Sequence, residues 1–135
     1  MNFLVTGGTG FIGKRVVGQL IKKGVNVVST DIDVKNNKDQ FEHYLSQKKI
    51  RTDNIKLCEL DISSKEEIQN IITDNKVSHI IACGYQMSNL IDNNPIKGAE
   101  VNIVGMTNLF QSVVDFNLKR LVFPSSESVY GTSSE

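Results

Sequence analysis

The sequence of 135 residues predicts an α/β fold built on a doubly wound parallel sheet, and three observations carry that expectation. Strand-like and helix-like stretches alternate from end to end. The strand-like runs are short, rich in Val and Ile, and apolar rather than alternating. The first of them runs straight into a glycine-rich turn that opens a helix. Parallel strands need crossover connections, which place helices on both faces of the sheet with right-handed topology. Strands covered on both faces have no solvated side, so the period-two alternation disappears.

Residues 3–6 form the first expected strand, followed by a helix over residues 11–23. In that helix Phe11, Ile12, Val16, Val17, Leu20 and Ile21 share one face, and Gly24 supplies the stop. The second strand falls at residues 25–30. The polar segment that follows, residues 33–54, reads as a surface helix near 39–49 or a loop beside the sheet edge. Residues 55–59 make the third strand. Ser63 or Ser64 caps a helix over 65–74, with Glu66 and Glu67 suited to its first turn. Strand four is placed at 77–82. A long helix over 96–116 follows, with Pro95 entering its first turn where the missing amide costs nothing. The fifth strand is placed at 120–123.

Length and charge narrow the function class. The chain has room for one domain, residues 1–135, with one core. Fifteen basic residues balance fifteen acidic ones, so no net field favours nucleic acid or an anionic membrane. No apolar run approaches the roughly 20 residues of a spanning helix. The N-terminus reads as a usable strand rather than a signal peptide. Cys58 and Cys83 are far apart and lack metal-ligand spacing, which fits reduced thiols in the cytoplasm.

The chemistry starts at Thr6-Gly7-Gly8-Thr9-Gly10-Phe11-Ile12-Gly13. A strand, a glycine turn and a helix make a phosphate site, because the amides of the first helical turn face the anion and the helix dipole favours negative charge. One glycine permits the turn, one lets a pyrophosphate approach the backbone, and one lets the helix pack on the strand. Both registers, Gly8-x-Gly10-x-x-Gly13 and Gly7-x-x-Gly10-x-x-Gly13, fit a dinucleotide fingerprint, so the fold expected is a Rossmann-type doubly wound sheet. Asp31 follows the second strand, where a carboxylate accepts hydrogen bonds from the adenosine ribose hydroxyls and repels a 2′-phosphate. NAD is therefore expected over NADP. Asp33 can share or take that role, and Lys35 keeps NADP open as an alternative. Asp61 can accept from the adenine amino group, with Ile62 pressing on the ring. Late in the chain, Arg120-Leu121-Val122-Phe123-Pro124-Ser125-Ser126 delivers a serine pair to a strand's C-terminal end, where open parallel sheets bind ligands.

These blocks together resemble the extended short-chain dehydrogenase/reductase family, the NAD-dependent sugar epimerases and dehydratases. The opening glycine block, Asn102-Ile103-Val104-Gly105-Met106-Thr107-Asn108, and Ser125-Ser126-Glu127-Ser128-Val129-Tyr130-Gly131 each match a family motif. The resemblance implies a nucleotide-sugar-like substrate and cofactor contacts from Gly7, Thr9, Gly10, Phe11, Ile12 and Gly13. It implies that Ser126 is the catalytic serine that hydrogen-bonds the substrate oxygen, with Ser125 near the nicotinamide and Asn102 on the cofactor side. Glu127 would be either a proton donor or a solvated loop residue. The family's His-Leu-Ala-Ala-like run is replaced by Ala82-Cys83-Gly84-Tyr85, which leaves Cys83 and Gly84 as backbone contacts.

The family also uses a Tyr-x-x-x-Lys pair beyond the serine, whose tyrosine removes the substrate proton. Tyr130 has Ser134 four residues on, and Tyr44 with Lys48 matches the spacing only on the polar edge segment. The chain is therefore expected to be the N-terminal cofactor-binding part of a longer enzyme, inactive alone and lacking the later strands and substrate domain. A non-catalytic NAD(P)-sensing or partner-binding module and an NADP-linked reductase are the alternatives. An uncovered edge or helix face would lead to a homodimer or other self-association.

Overall fold

The computed structural model describes residues 1–131. Five strands form one sheet: β1 Asn2–Thr6, β2 Asn26–Asp31, β3 Ile55–Glu59, β4 His79–Ala82 and β5 Arg120–Val122. Every pairing is parallel and the spatial order is β3-β2-β1-β4-β5. The chain winds outward from β1 in both directions, so the order reverses between β1 and β4. That reversal is the switch point at which open α/β sheets bind ligands.

Helices α1 Gly13–Lys22 and α2 Val34–Gln47 cover one face, and α3 Lys65–Asp74 and α6 Met106–Asp115 the other. Successive strand residues point to opposite faces. Leu4 and Val5 are both fully buried, Leu4 beneath α3 and α6 and Val5 beneath α1 and α2. Val28 and Val27 repeat that split on β2. This is why the strands read as continuous apolar runs.

The polar segment after β2 is a full helix. Asp33 caps it, its carboxylate accepting from the Asn36 amide at 3.2 Å, while Phe41 and Leu45 at spacing i, i+4 bury its inner face. The long helix expected over 96–116 is broken. It becomes α5 Pro95–Ala99, a π-helical turn at Glu100–Gly105, and α6, preceded by a short α4 at Ser88–Asn93. A π turn carries one extra residue per turn and changes which side chains face the core. Here it begins at Glu100 and ends at Gly105, where a β-carbon would stand 2.6 Å from Ile62 Cγ1. Only glycine lets the helix approach the β3–α3 loop this closely.

Candidate dinucleotide site

The register aligns the carboxyl ends of the strands. Thr6 lies beside Thr30 and Ala82, Asp31 beside Glu59, and Ile81 beside Val122. Along that edge stand, in order, Asp61, Asp31, the glycine turn, Cys83-Gly84 and Ser125-Ser126. Four interstrand steps give this track a length of about 19 Å.

The glycines divide the work among themselves. Gly7 has φ +60, the left-handed region that favours glycine, and a β-carbon there would stand 2.7 Å from the backbone of Cys83 and Gly84. At Gly13 a β-carbon would lie 2.0 Å from the Gly7 carbonyl oxygen, so this glycine lets α1 seat on the turn. At Gly10 it would meet only the Gly7 oxygen, at 3.2 Å. The protein itself crowds Gly10 least, which fits the position a ligand approaches. Gly8 lies over the buried Ser29, whose hydroxyl has no hydrogen-bond partner among the described residues.

Helix α1 has no side-chain cap, whereas Asp33, Ser64 and Asn94 cap α2, α3 and α5. The Lys14, Arg15 and Val16 amides already reach the Gly10 and Ile12 carbonyls, which leaves the Phe11, Ile12 and Gly13 amides without a partner among the described residues and open to an anion. Phe11 and Ile12 stand 73% and 55% exposed at that opening. The Arg15 guanidinium stacks over the Phe11 ring at 3.9 Å.

Asp31 ends β2 and faces the turn. Its Oδ2 accepts from the Thr9 hydroxyl at 2.5 Å and from the Thr9 amide at 3.3 Å, and Oδ1 accepts from the Ile32 amide at 3.0 Å. A carboxylate offers about four acceptor sites, so one on Oδ1 remains. The Thr9 side chain is buried and holds Asp31 rather than facing outward. Asp33 is engaged by Asn36 at the cap of α2, and Lys35 is exposed on that helix.

Asp61 sits in the β3–α3 loop. Its Oδ1 accepts from the Ser63 amide at 2.9 Å and the Ser63 hydroxyl at 2.6 Å, and its Oδ2 accepts from Lys97 Nζ at 3.0 Å. Burial opposes ionisation of this carboxyl. The Ser63 and Lys97 hydrogen bonds outweigh that effect and hold Asp61 below the usual carboxylate value. Ile62 is buried in the core beneath Gly105, so most of its surface is covered by protein rather than offered to a ring.

Across the switch point, the Cys83 amide donates to the Thr6 carbonyl at 3.0 Å and the Gly84 amide to the Thr6 hydroxyl at 3.1 Å. Both residues therefore line the glycine turn through their backbones. Burial pushes the Cys83 thiol up, away from thiolate chemistry. Asn102, on the π turn, does not stand open. Its Oδ1 accepts from the Gln86 amide and its Nδ2 donates to the Gln86 carbonyl, both at 2.9 Å, which clamps the loop after β4. Ser125 and Ser126 are exposed after β5, and the Val129 amide donates to the Ser126 carbonyl at 3.3 Å. The Glu127 side chain and Ser134 lie outside the described residues. Tyr44 packs against α1, with Lys14 and Arg15 near its ring.

Lys97 and Gln86 were not legible as partners in the sequence. Each meets its partner through the α5–π geometry, and no spacing announces contacts 36 and 16 residues apart.

Comparison with known proteins agrees with this frame. A UDP-glucose 4-epimerase of Lactobacillus helveticus is 30% identical over 132 residues, covering 97% of this chain and 37% of that protein. A UDP-glucuronate 4-epimerase of Thermodesulfobacterium geofontis is 31% identical, over 98% of this chain and 41% of its own length. Among solved structures, the Thermotoga maritima UDP-glucose 4-epimerase with UDP-glucose superposes with a TM-score of 0.81 at 27% identity, covering all of this chain and 41% of that one. The Stenotrophomonas maltophila enzyme with bound NAD and formylated UDP-arabinopyranose gives 0.84 at 25% identity, covering 100% of this chain and 40% of that one. The chain thus spans 37% to 41% of the length of these relatives. The model of the NAD dependent epimerase/dehydratase family matches residues 3–135, and the chain belongs to that family.

Proposed function

We propose that this chain is the cofactor-binding part of a cytoplasmic sugar-nucleotide epimerase or dehydratase, with NAD along the carboxyl edge of its sheet. The observation that carries the reading is the uncapped N-terminus of α1 behind a glycine turn at the switch point, with Gly10 left uncrowded. Gly10 and the amides of Phe11, Ile12 and Gly13 at the entrance of α1 would hold the pyrophosphate. The free acceptor site of Asp31 takes a ribose hydroxyl, and Asp61 takes the adenine amino group. On the other side of β1, the backbone of Cys83 and Gly84 borders the nicotinamide ribose, with Ser125 beyond it.

NAD supplies a hydride acceptor when bound. The chain's own contribution is placement: Ser126 hydrogen-bonds the substrate oxygen, and Asn102 keeps the loop after β4 in position through Gln86. The tyrosine–lysine chemistry that removes the substrate proton is expected from outside these residues, so this chain alone should not turn over. Nucleotide-sugar binding belongs to the whole enzyme.

Isothermal titration of the chain with NAD and NADP tests the cofactor assignment. NAD should bind the more tightly, because a 2′-phosphate would be brought against the Asp31 carboxylate. Tighter binding of NADP overturns the role given to Asp31 and favours Lys35 as a phosphate partner.

A further inference from the structure

The β3–α3 loop that carries Asp61 is fixed from three sides. Glu67 on α3 accepts from the Asp61 amide at 3.0 Å. Asn108 on α6 donates to the carbonyls of Ile62 and Ser63, at 3.2 and 3.0 Å. Lys97 on α5 reaches the carboxylate itself at 3.0 Å, and its ammonium also lies 3.5 Å from Glu100, the first residue of the π turn. The first two ties hold backbone. Of the three, only Lys97 reaches the carboxylate, which Ser63 also holds from within the loop.

Its reach depends on the glycines of the following segment. Gly98 packs on Ile91 and Gly105 on Ile62, each closer than a side chain would allow without displacement. The Gly105 contact brings the π turn down onto the loop, and the Gly98 contact seats α5 on α4. The result is a continuous path of partners from Ser63 through Asp61 and Lys97 to Glu100. It enters the π turn that holds Asn102, and through Asn102 the loop after β4.

We infer that Lys97 is a positioning residue for the purine end of the cofactor. Ser63 fills both acceptor sites of Asp61 Oδ1, and Lys97 takes one of the two on Oδ2, leaving a single directed lone pair. The direction of that lone pair is set by where the ammonium sits. Lys97 also neutralises a carboxylate that would otherwise face an anionic dinucleotide. Without it, Asp61 keeps only its Ser63 bonds on Oδ1, nothing fixes Oδ2, and the charge is uncompensated. This inference rests on the role given to Asp61 under Proposed function.

The test uses the full chain, with ADP as the purine-end probe, nicotinamide mononucleotide as the control and NAD as the whole cofactor. Lys97→Met should weaken ADP and NAD by about tenfold, the worth of one hydrogen bond to a charged group. Mononucleotide binding and the melting temperature should stay unchanged. Lys97→Arg keeps a donor at that position and should restore most of the affinity. If Lys97→Met binds ADP like the parent chain, or loses ADP and thermal stability together, the pair is only a structural tie and the inference fails. Asp61→Asn separates the two layers. If it leaves ADP binding intact, the adenine role of Asp61 falls; if it weakens ADP while Lys97→Met does not, only the positioning role falls. A parent chain that binds neither ADP nor NAD overturns both.

Discussion

At the scale of single residues, two glycines three positions apart make opposite demands. Gly13 is required by the protein, since any β-carbon there would overlap the Gly7 carbonyl at 2.0 Å, and that carbonyl belongs to a turn packed on Cys83. Gly10 meets only one atom, at 3.2 Å, which a small shift relieves. Gly13→Ala should therefore cost stability, roughly 2–4 kcal/mol as overpacking at a rigid site does. Gly10→Ala should change the melting temperature little while weakening NAD at least tenfold, because the methyl group occupies the pyrophosphate's approach. Thermal melts paired with NAD titration decide this. If both variants melt alike and Gly10→Ala keeps its affinity, the glycines do not divide as the geometry says. That one glycine makes the turn and another packs the helix was readable from the spacing, but the register was not, because a φ of +60 at Gly7 is a property of the folded turn.

At the scale of elements, agreement between sequence and structure follows the strength of the local signal. The sheet strands fall within two residues of their expected positions, because a doubly covered strand must be apolar along its length. Helix α3 lies over the expected residues 65–74, since Ser64 and Glu67 mark its start chemically. Helix α2 was legible only as a polar segment. Its fully buried positions are Phe41 and Leu45, with Tyr44 partly buried beside them, too few apolar positions to choose between helix and loop. The π turn escaped altogether, since one inserted residue leaves the run looking like a continuous helix. That turn is nonetheless what aims Asn102 at Gln86. Asn102→Ala would leave two backbone groups of Gln86 without their partners, at a cost of about 1–3 kcal/mol. Hydrogen exchange should show the Gln86 amide losing protection while the β1 and β2 amides keep theirs. Unchanged protection at Gln86 would mean the loop after β4 is held by something else.

At the scale of the whole molecule, the two sides of the sheet end differently. Both β3 and β5 are edge strands, but β3 pairs with β2 over five positions, whereas β5 has three residues and, among the described residues, pairs with β4 alone. Beside it lies an apolar surface that nothing among the described residues covers. Phe110 and Val114, at spacing i, i+4, share a face of α6, and Ile103 stands on the π turn before it, with Ile103 66% and Val114 74% exposed. Phe110 meets Phe123 edge to face at 5.3 Å, which carries the surface across to the exit of β5 beside the exposed Val122. Isolated exposed apolar residues are ordinary, but a continuous set beside an open strand edge drives association. The expected outcome is a sedimentation coefficient that rises with concentration. Val114→Lys should return the chain to a monomer without lowering its melting temperature, because the parent side chain already lies in water. Val114 lies at the end of α6, toward the amino ends of the strands, and the glycine turn is on the carboxyl edge, so NAD affinity should survive the change. A chain that stays monomeric at high concentration, or that still associates as Val114→Lys, places the association elsewhere or removes it. Loss of NAD binding in the same variant would mean that the helix face and the cofactor edge are coupled, contrary to the separation the topology gives them.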